Sequence, residues 1–186
     1  SNFNLDGTTL RATNSFDYEV SNSYSVTVRV TDGGSLTYDE TFTINVSDVN
    51  EAPTDITLSS ASVAENAGAN AIVGTLSGTD PEVDAITYTI TAGGSNFNLD
   101  GTTLRATNSF DYEVTNSYSV TVRVTDGGSL TYDEAFTINV SDVNEAPTDI
   151  SLSNASVAEN AGSNATVGTL STTDPEAGAM TYTITA

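Results

Sequence analysis

The chain has 186 residues, with 25 Asp and Glu against 4 Lys and Arg, and a formal charge of −21. It contains no His, Cys or Trp, and its cations are four arginines, Arg11, Arg29, Arg105 and Arg123. Histidine bases, thiolate nucleophiles and Schiff-base lysines are therefore excluded, and the chain reads as a non-enzyme. Thiolate and imidazole sites for zinc, copper or haem are excluded too, and so is the basic surface that nucleic acid needs. Nothing approaches the run of about 18 apolar residues that inserts into a membrane. Hard cations held by oxygen, Ca²⁺ first among them, remain compatible.

The chain opens on Ser1-Asn2-Phe3-Asn4-Leu5-Asp6-Gly7, which returns at residues 95–101. The offset of 94 holds to the end, with about ten differences between residues 1–92 and 95–186. A period of this length is one small domain, not a solenoid unit. The turn-rich stretches Asp48-Val49-Asn50-Glu51-Ala52-Pro53 and Asp142 to Pro147 read as linkers. They set the boundaries: residues 1–52 are the back of one repeat, 53–146 a whole repeat, and 147–186 the front of the next. Only Gly93 and Gly94 separate the position matching Ala186 from the one matching Ser1. The two half-repeats are thus expected to complete one another, between copies or along a continuous filament.

Within 53–146 the pattern is period two throughout, the mark of half-buried strands. Strands are expected around Ile56 and Leu58, over 73–78 and over 86–90. After Gly93-Gly94 comes a short strand at Phe97 and Leu99, a turn at Asp100-Gly101, and a strand over 103–106. Tyr118, Val120, Val122 and Val124 alternate with polar residues, Gly127-Gly128 turns the chain, and Phe136, Ile138 and Val140 alternate again. Seven strands suit a Greek-key sandwich held by packing alone. Asp39, Glu40, Asp133 and Glu134 read as solvated hairpin acids, and Asp6-Gly7 as a turn.

The other acids recur as clusters in loops and linkers. Asp17-Tyr18-Glu19 returns as Asp111-Tyr112-Glu113, Asp32-Gly33-Gly34 as Asp126-Gly127-Gly128, Glu65-Asn66 as Glu159-Asn160, and Asp80-Pro81-Glu82 as Asp174-Pro175-Glu176. Oxygen-bearing side chains at alternate positions are what a hard-cation cage of roughly six to eight ligands needs. In this order the clusters resemble the x-E-N, D-x-D, L-D-x-E, x-D-x-G and D-x-N-D-N-x-P calcium motifs of cadherin repeats. They are most similar to the cadherin-like repeats of long bacterial surface proteins. The resemblance spans 53–146 and both flanking halves. Two features depart from the family: the linker is one residue shorter, with Glu in place of its second Asp, and the D-x-D position reads Asp-Pro-Glu.

The resemblance implies an all-β fold of tandem seven-stranded Greek-key, Ig-like or cadherin-like β-sandwich domains, with Ca²⁺ held between successive repeats. The first junction would use Asp17, Glu19, Asp48, Asn50, Glu51, Asp80, Glu82 and Asp126. The second would use Glu65, Asp111, Glu113, Asp142, Asn144, Glu145, Asp174 and Glu176, with Asp32 and Glu159 serving junctions to neighbouring copies. The expected role is a secreted or cell-surface extender or filament segment, stiffened by calcium and partnered head to tail by identical repeats. The alternative is a polysaccharide-binding module, for which Tyr18, Tyr38, Tyr112 and Tyr132 are the candidate contacts to an extracellular glycan.

Overall fold

A computed structural model describes residues 1–82, 85–176 and 178–185; Ala186 lies outside them. Every regular element among these residues is a β-strand. The first half-repeat gives two hairpins, β1 (Phe3–Asp6) with β2 (Thr9–Ala12) and β3 (Ser23–Thr31) with β4 (Thr37–Asn45). The middle repeat gives β5 (Asp55–Leu58), β6 (Ser62–Ala64), β7 (Ile72–Thr79), β8 (Thr87–Ala92), β9 (Phe97–Asp100), β10 (Thr103–Ala106), β11 (Ser117–Thr125) and β12 (Thr131–Ser141). The last half-repeat gives β13 (Asp149–Leu152) paired with β14 (Leu170–Thr173).

The middle strands form two four-stranded sheets, in the orders β5-β7-β10-β9 and β6-β12-β11-β8. Sequence neighbours β7 and β8 lie in different sheets, as do β10 and β11, which is the Greek-key crossing. One strand escaped the sequence reading. Strand β6 has three residues, too few to show a period, and it pairs in parallel with β12 at Asn139↔Ser62, Val140↔Val63 and Ser141↔Ala64. The leading strand is therefore split: β5 runs in one sheet, and after Ser59-Ser60-Ala61 the chain joins the other. Gly74 permits this step, because a Cβ there would stand 2.5 Å from the Ser60 carbonyl oxygen.

On β11 and β12 alternation buries one face, as the pleat requires. Val120, Val122 and Val124 on β11 have no exposed surface, and Leu104 and Ile138 have none either. Phe97, Phe110 and Tyr118 cluster, with the Phe110 and Tyr118 rings stacked at 4.4 Å. Their copies Phe3, Phe16 and Tyr24 cluster in the same way. Asp39 and Glu40, read as solvated hairpin acids, lie on β4 of the β3–β4 hairpin, and their copies Asp133 and Glu134 lie on β12. Each Asp faces an arginine across the ladder: Asp39 takes two bonds of 2.7 Å from Arg29, and Asp133 takes 2.7 and 2.8 Å bonds from Arg123.

The chain groups into two compact units. One comprises Ser1–Thr57, Gly78–Tyr88 and Arg123–Asp133; the other comprises Leu58–Ser77, Thr89–Val122 and Glu134–Ala186. The divide runs through β5, β7, β8, β11 and β12, and each unit contains one linker whole.

Candidate metal centres at the two linkers

The first linker is built inside the first unit. Asp126 is 7% exposed and caps its own β-turn, accepting the Leu130 N–H at 2.8 Å on Oδ1. Its Oδ2 accepts the Asn50 amide at 2.9 Å. Asn50 sits flat against Gly128, where any Cβ would stand 2.5 Å from the amide carbon. Glu82 Oε1 accepts the backbone N–H of Glu51 at 2.9 Å, and the Glu82 N–H donates to Asp80 Oδ1 at 3.1 Å. Carboxylate oxygens of Glu19, Asp48 and Glu82 come within 4.8 Å of one another. An open cleft of about 650 Å³ lies beside them, lined by Tyr18, Glu19, Asn22, Asp48, Asn50, Pro81 and Glu82.

The second linker lies wholly in the second unit and is organised by the split strand. Because β6 runs parallel to β12, the next N–H, that of Glu65, continues the ladder to the Ser141 carbonyl at 3.0 Å. This places Glu65 at the start of the linker with only 2% of its surface exposed. Its oxygens accept the N–H groups of Tyr112 at 2.8 Å and Val143 at 2.7 Å. Buried Phe110 anchors the Asp111-Tyr112-Glu113 loop, and its carbonyl accepts the Asn66 N–H at 3.1 Å. Oxygens of Glu65, Asp111 and Glu113 gather within 4.8 Å, and so do those of Glu113, Asp142 and Glu176, making Glu113 common to both groups. Glu176 Oε1 accepts the Glu145 N–H at 2.6 Å, the same contact that Glu82 makes with Glu51.

Asn66 was not among the expected ligands. It takes a left-handed backbone, φ 54°, which asparagine tolerates, and its amide donates to the Glu145 carboxylate. Its place beside Glu65 was the only sequence signal for it. Asn144 turns its amide to the Glu145 carbonyl at 2.9 Å, and Asp174 lies near enough to Glu176 to bear on its pKa. Asp17 accepts the Val20 N–H at 2.9 Å and adds its charge to Glu51. Asp32 and Glu159 are exposed and lie outside both clusters. Of the candidate glycan contacts, Tyr18 lines the first cleft, and Tyr38 is 64% exposed on β4 with its hydroxyl on Glu40.

The electrostatics of both linkers are those of anions held together. Glu51 is pushed above the usual carboxylate range by its hydrogen bond with Glu82, then by burial and the charges of Glu19, Glu82 and Asp17. Burial is the main cause for Asp80, followed by Glu82. Burial also leads for Glu113, with the charges of Glu65, Asp142 and Glu176 behind it. Asn66 pulls Glu145 down, but burial, Glu176, Glu65 and Glu113 outweigh it and leave the group raised. Backbone N–H donation holds Glu82 and Glu176 low.

No arginine relieves this crowding. Arg11 pairs with Asp6, Arg29 with Asp39, Arg105 with Asp100 and Arg123 with Asp133, so all four cations are engaged away from the clusters. Three carboxylate oxygens, Asp80 Oδ2, Glu82 Oε2 and Glu176 Oε2, are buried without a hydrogen-bond partner. Buried anionic oxygens are paired or bind metal. An all-oxygen donor set rich in carboxylates fits Ca²⁺, whereas Mg²⁺ retains several waters and seldom takes a cage supplied wholly by protein.

Fold and linkers together define tandem cadherin-like β-sandwich repeats of the kind found in adhesion proteins. Residues 59–141 match the family model for the cadherin domain, which makes this segment a cadherin-like repeat. Protocadherin Fat 2 of Rattus norvegicus is 33% identical over 160 residues, covering 78% of this chain and 4% of that protein. The chain thus spans a small fraction of the length of this relative. Among solved structures, protocadherin gamma B7 extracellular cadherin domains 1–4 has a TM-score of 0.66 at 22% identity, over 89% of this chain and 44% of that one. The protocadherin gamma B4 extracellular domain has a TM-score of 0.63 at 26% identity, over 94% of this chain and 30% of that one.

Proposed function

We propose that this chain is a calcium-stiffened structural segment, an extender or filament piece of an extracellular or cell-surface adhesion protein. The observation that carries this reading is the trio of buried, partnerless oxygens on Asp80, Glu82 and Glu176, set among further carboxylates with no arginine beside them. The first linker would hold its ion with Glu19, Asp48, Asn50, Glu51, Asp80 and Glu82, supported by Asp17 and Asp126. The second would use Glu65, Asp111, Glu113, Asp142, Asn144, Glu145, Asp174 and Glu176. Bound there, Ca²⁺ supplies the positive charge that the clusters lack. The protein's own part is to present oxygens from strand ends and from the linker to one point. A linker whose residues share a ligand set with the loops on either side cannot swing freely.

The near-identity of successive copies suits a spacer selected for length. An extracellular location agrees with the extracellular domains that the similar structures represent. A bacterial surface protein is the source we propose; the relative named above is an animal protein.

The test is thermal unfolding followed in calcium and in chelator. A ligand that binds only the folded state adds about 2.7 kcal/mol at a hundredfold excess over its Kd. The melting temperature is expected to rise with calcium and to fall when the ion is removed, with magnesium giving a smaller rise. Unchanged melting in chelator sinks the proposal.

A further inference from the structure

We infer that Asn66 is a positioning residue of the second linker: its side-chain amide holds the Glu145 carboxylate in place ahead of any cation, so that the linker meets calcium already shaped. The inference rests on the calcium reading proposed above, and it adds to that reading a residue that is not itself a ligand.

The backbone comes first. Asn66 has a φ of 54°, in the left-handed region that asparagine and glycine adopt most readily. The turn follows directly on β6. Glu65 donates its N–H to the Ser141 carbonyl at 3.0 Å, and Asn66 donates its own to the Phe110 carbonyl at 3.1 Å. Two adjacent residues thus reach two different segments, the linker and the Asp111-Tyr112-Glu113 loop. Their side chains tie in the same two segments. Glu65 accepts the N–H of Tyr112 from the loop and that of Val143 from the linker. The Asn66 amide donates to the Glu145 carboxylate. Along the linker these contacts fall at Ser141, Val143 and Glu145, every second residue, as an extended chain requires. Asp142, between the first two, meets Glu113 and Glu176.

Glu145 needs such a hold. Its N–H is fixed on Glu176 Oε1 at 2.6 Å, while its carboxylate feels burial and the charges of Glu65 and Glu113. A glutamate side chain in that field gains by turning to water, and it has the rotamer freedom to do so. The Asn66 amide opposes the escape without adding charge. An ionised carboxylate has about four acceptor sites, so one amide bond leaves room for a cation. Asparagine meets both demands of the position, a left-handed φ and a neutral donor. Glycine would keep the turn without the amide, and aspartate would replace the donor with another anion. A ligand held in its bound position lowers the ordering cost of binding.

The experiment is a calcium titration of the 186-residue chain followed by two-dimensional amide NMR. The Val143 and Glu145 N–H groups report on the second linker, and the Glu51 N–H on the first. Outer-shell partners of metal ligands are worth roughly 10–100-fold in affinity, so Asn66→Gly is expected to weaken calcium at the second linker by about tenfold. The first linker is expected to titrate as in the wild type. Asn66→Asp is expected to bind more weakly than the wild type as well, because its carboxylate repels Glu145. One readout needs no ion. In chelator the Asn66 side-chain amide is expected to resonate away from exposed asparagines, and Glu145→Ala is expected to return it to them. An Asn66 amide that already resonates with exposed asparagines in the wild type overturns the inference. Tighter binding by Asn66→Asp does so too, since position 66 is then a direct ligand. Wild-type affinity in Asn66→Gly, even with lower melting in chelator, leaves only a structural role and sinks this inference alone. A wild type in which calcium moves neither linker overturns the proposed function, and this inference with it.

Discussion

Glu65 is the residue on which the second linker turns. It is buried, it accepts two backbone N–H groups, and it faces Asp111 and Glu113. Glu65→Ala leaves those donors unpaired and is expected to destabilise the chain by about 1–3 kcal/mol in chelator, and by more in calcium. Its copy Glu159 is exposed, so Glu159→Ala in dilute solution is expected to fall within about 0.5 kcal/mol of wild type. Chemical denaturation of both variants checks the contrast. Glu113 makes a different case. Burial first, then Glu65, Asp142 and Glu176, raises its pKa above that of the unfolded chain. Such a group's stabilising contribution is complete below the unfolded pKa and is lost as pH rises through the folded one. Glu113→Gln removes that loss. In chelator the variant is expected to melt slightly above wild type at neutral pH, with the difference fading on acidification. In calcium the order is expected to reverse, because the variant removes a carboxylate from the proposed site. A variant that melts lower in both conditions argues against repulsion at this site.

At the scale of elements, the split leading strand decides where Glu65 lies. The crossing from β5 to β6 passes so close to β7 that Gly74 cannot carry a side chain. Gly74→Ala is expected to cost roughly 1–3 kcal/mol by overpacking, and to weaken calcium binding at the second linker while sparing the first. Titration of each linker's response, by variants that disable the other, would show it. The sheets themselves were legible in the sequence, because Val120, Val122 and Val124 alternate cleanly and Gly and Asp mark the turns. Strand β6 was not, since a three-residue strand has no period and is held only by a partner 77 residues away, Asn139 against Ser62. Asp133 was read as a solvated hairpin acid, and its cross-strand bond from Arg123 was not legible, because pairing across the ladder depends on register. The acidic groups gathered at the linkers were legible as recurring motifs, but the contact of Asn66 with Glu145 depends on a left-handed turn that composition does not show.

At the scale of the molecule, the proposed stiffening by calcium has two possible routes, cross-linking of linker and loops or the cancelling of charge alone. Both would follow from the clusters at the linkers, and they differ in their response to salt. At about 1 M ionic strength the Debye length is roughly 3 Å, so repulsion between the exposed carboxylates is largely screened. Screening removes a force but adds no bond between linker and loops. A chain of several repeats is therefore expected to have a maximum dimension, by small-angle scattering, that grows linearly with repeat number in calcium. The longest strand has 11 residues, which at about 3.3 Å per residue spans roughly 36 Å, and the linker brings each repeat to roughly 40–45 Å. In chelator the growth is expected to be weaker than linear, and high salt without calcium is expected to leave it so. Replacing Asp142, Asn144 and Glu145 with alanine is expected to shorten the particle even in calcium, because those residues lie in the linker itself. If high salt alone restores the calcium length, neutralisation is sufficient and the carboxylates act as a charge brake. If the length is the same in every condition, packing between neighbouring repeats sets it and the linker clusters have no part in stiffness.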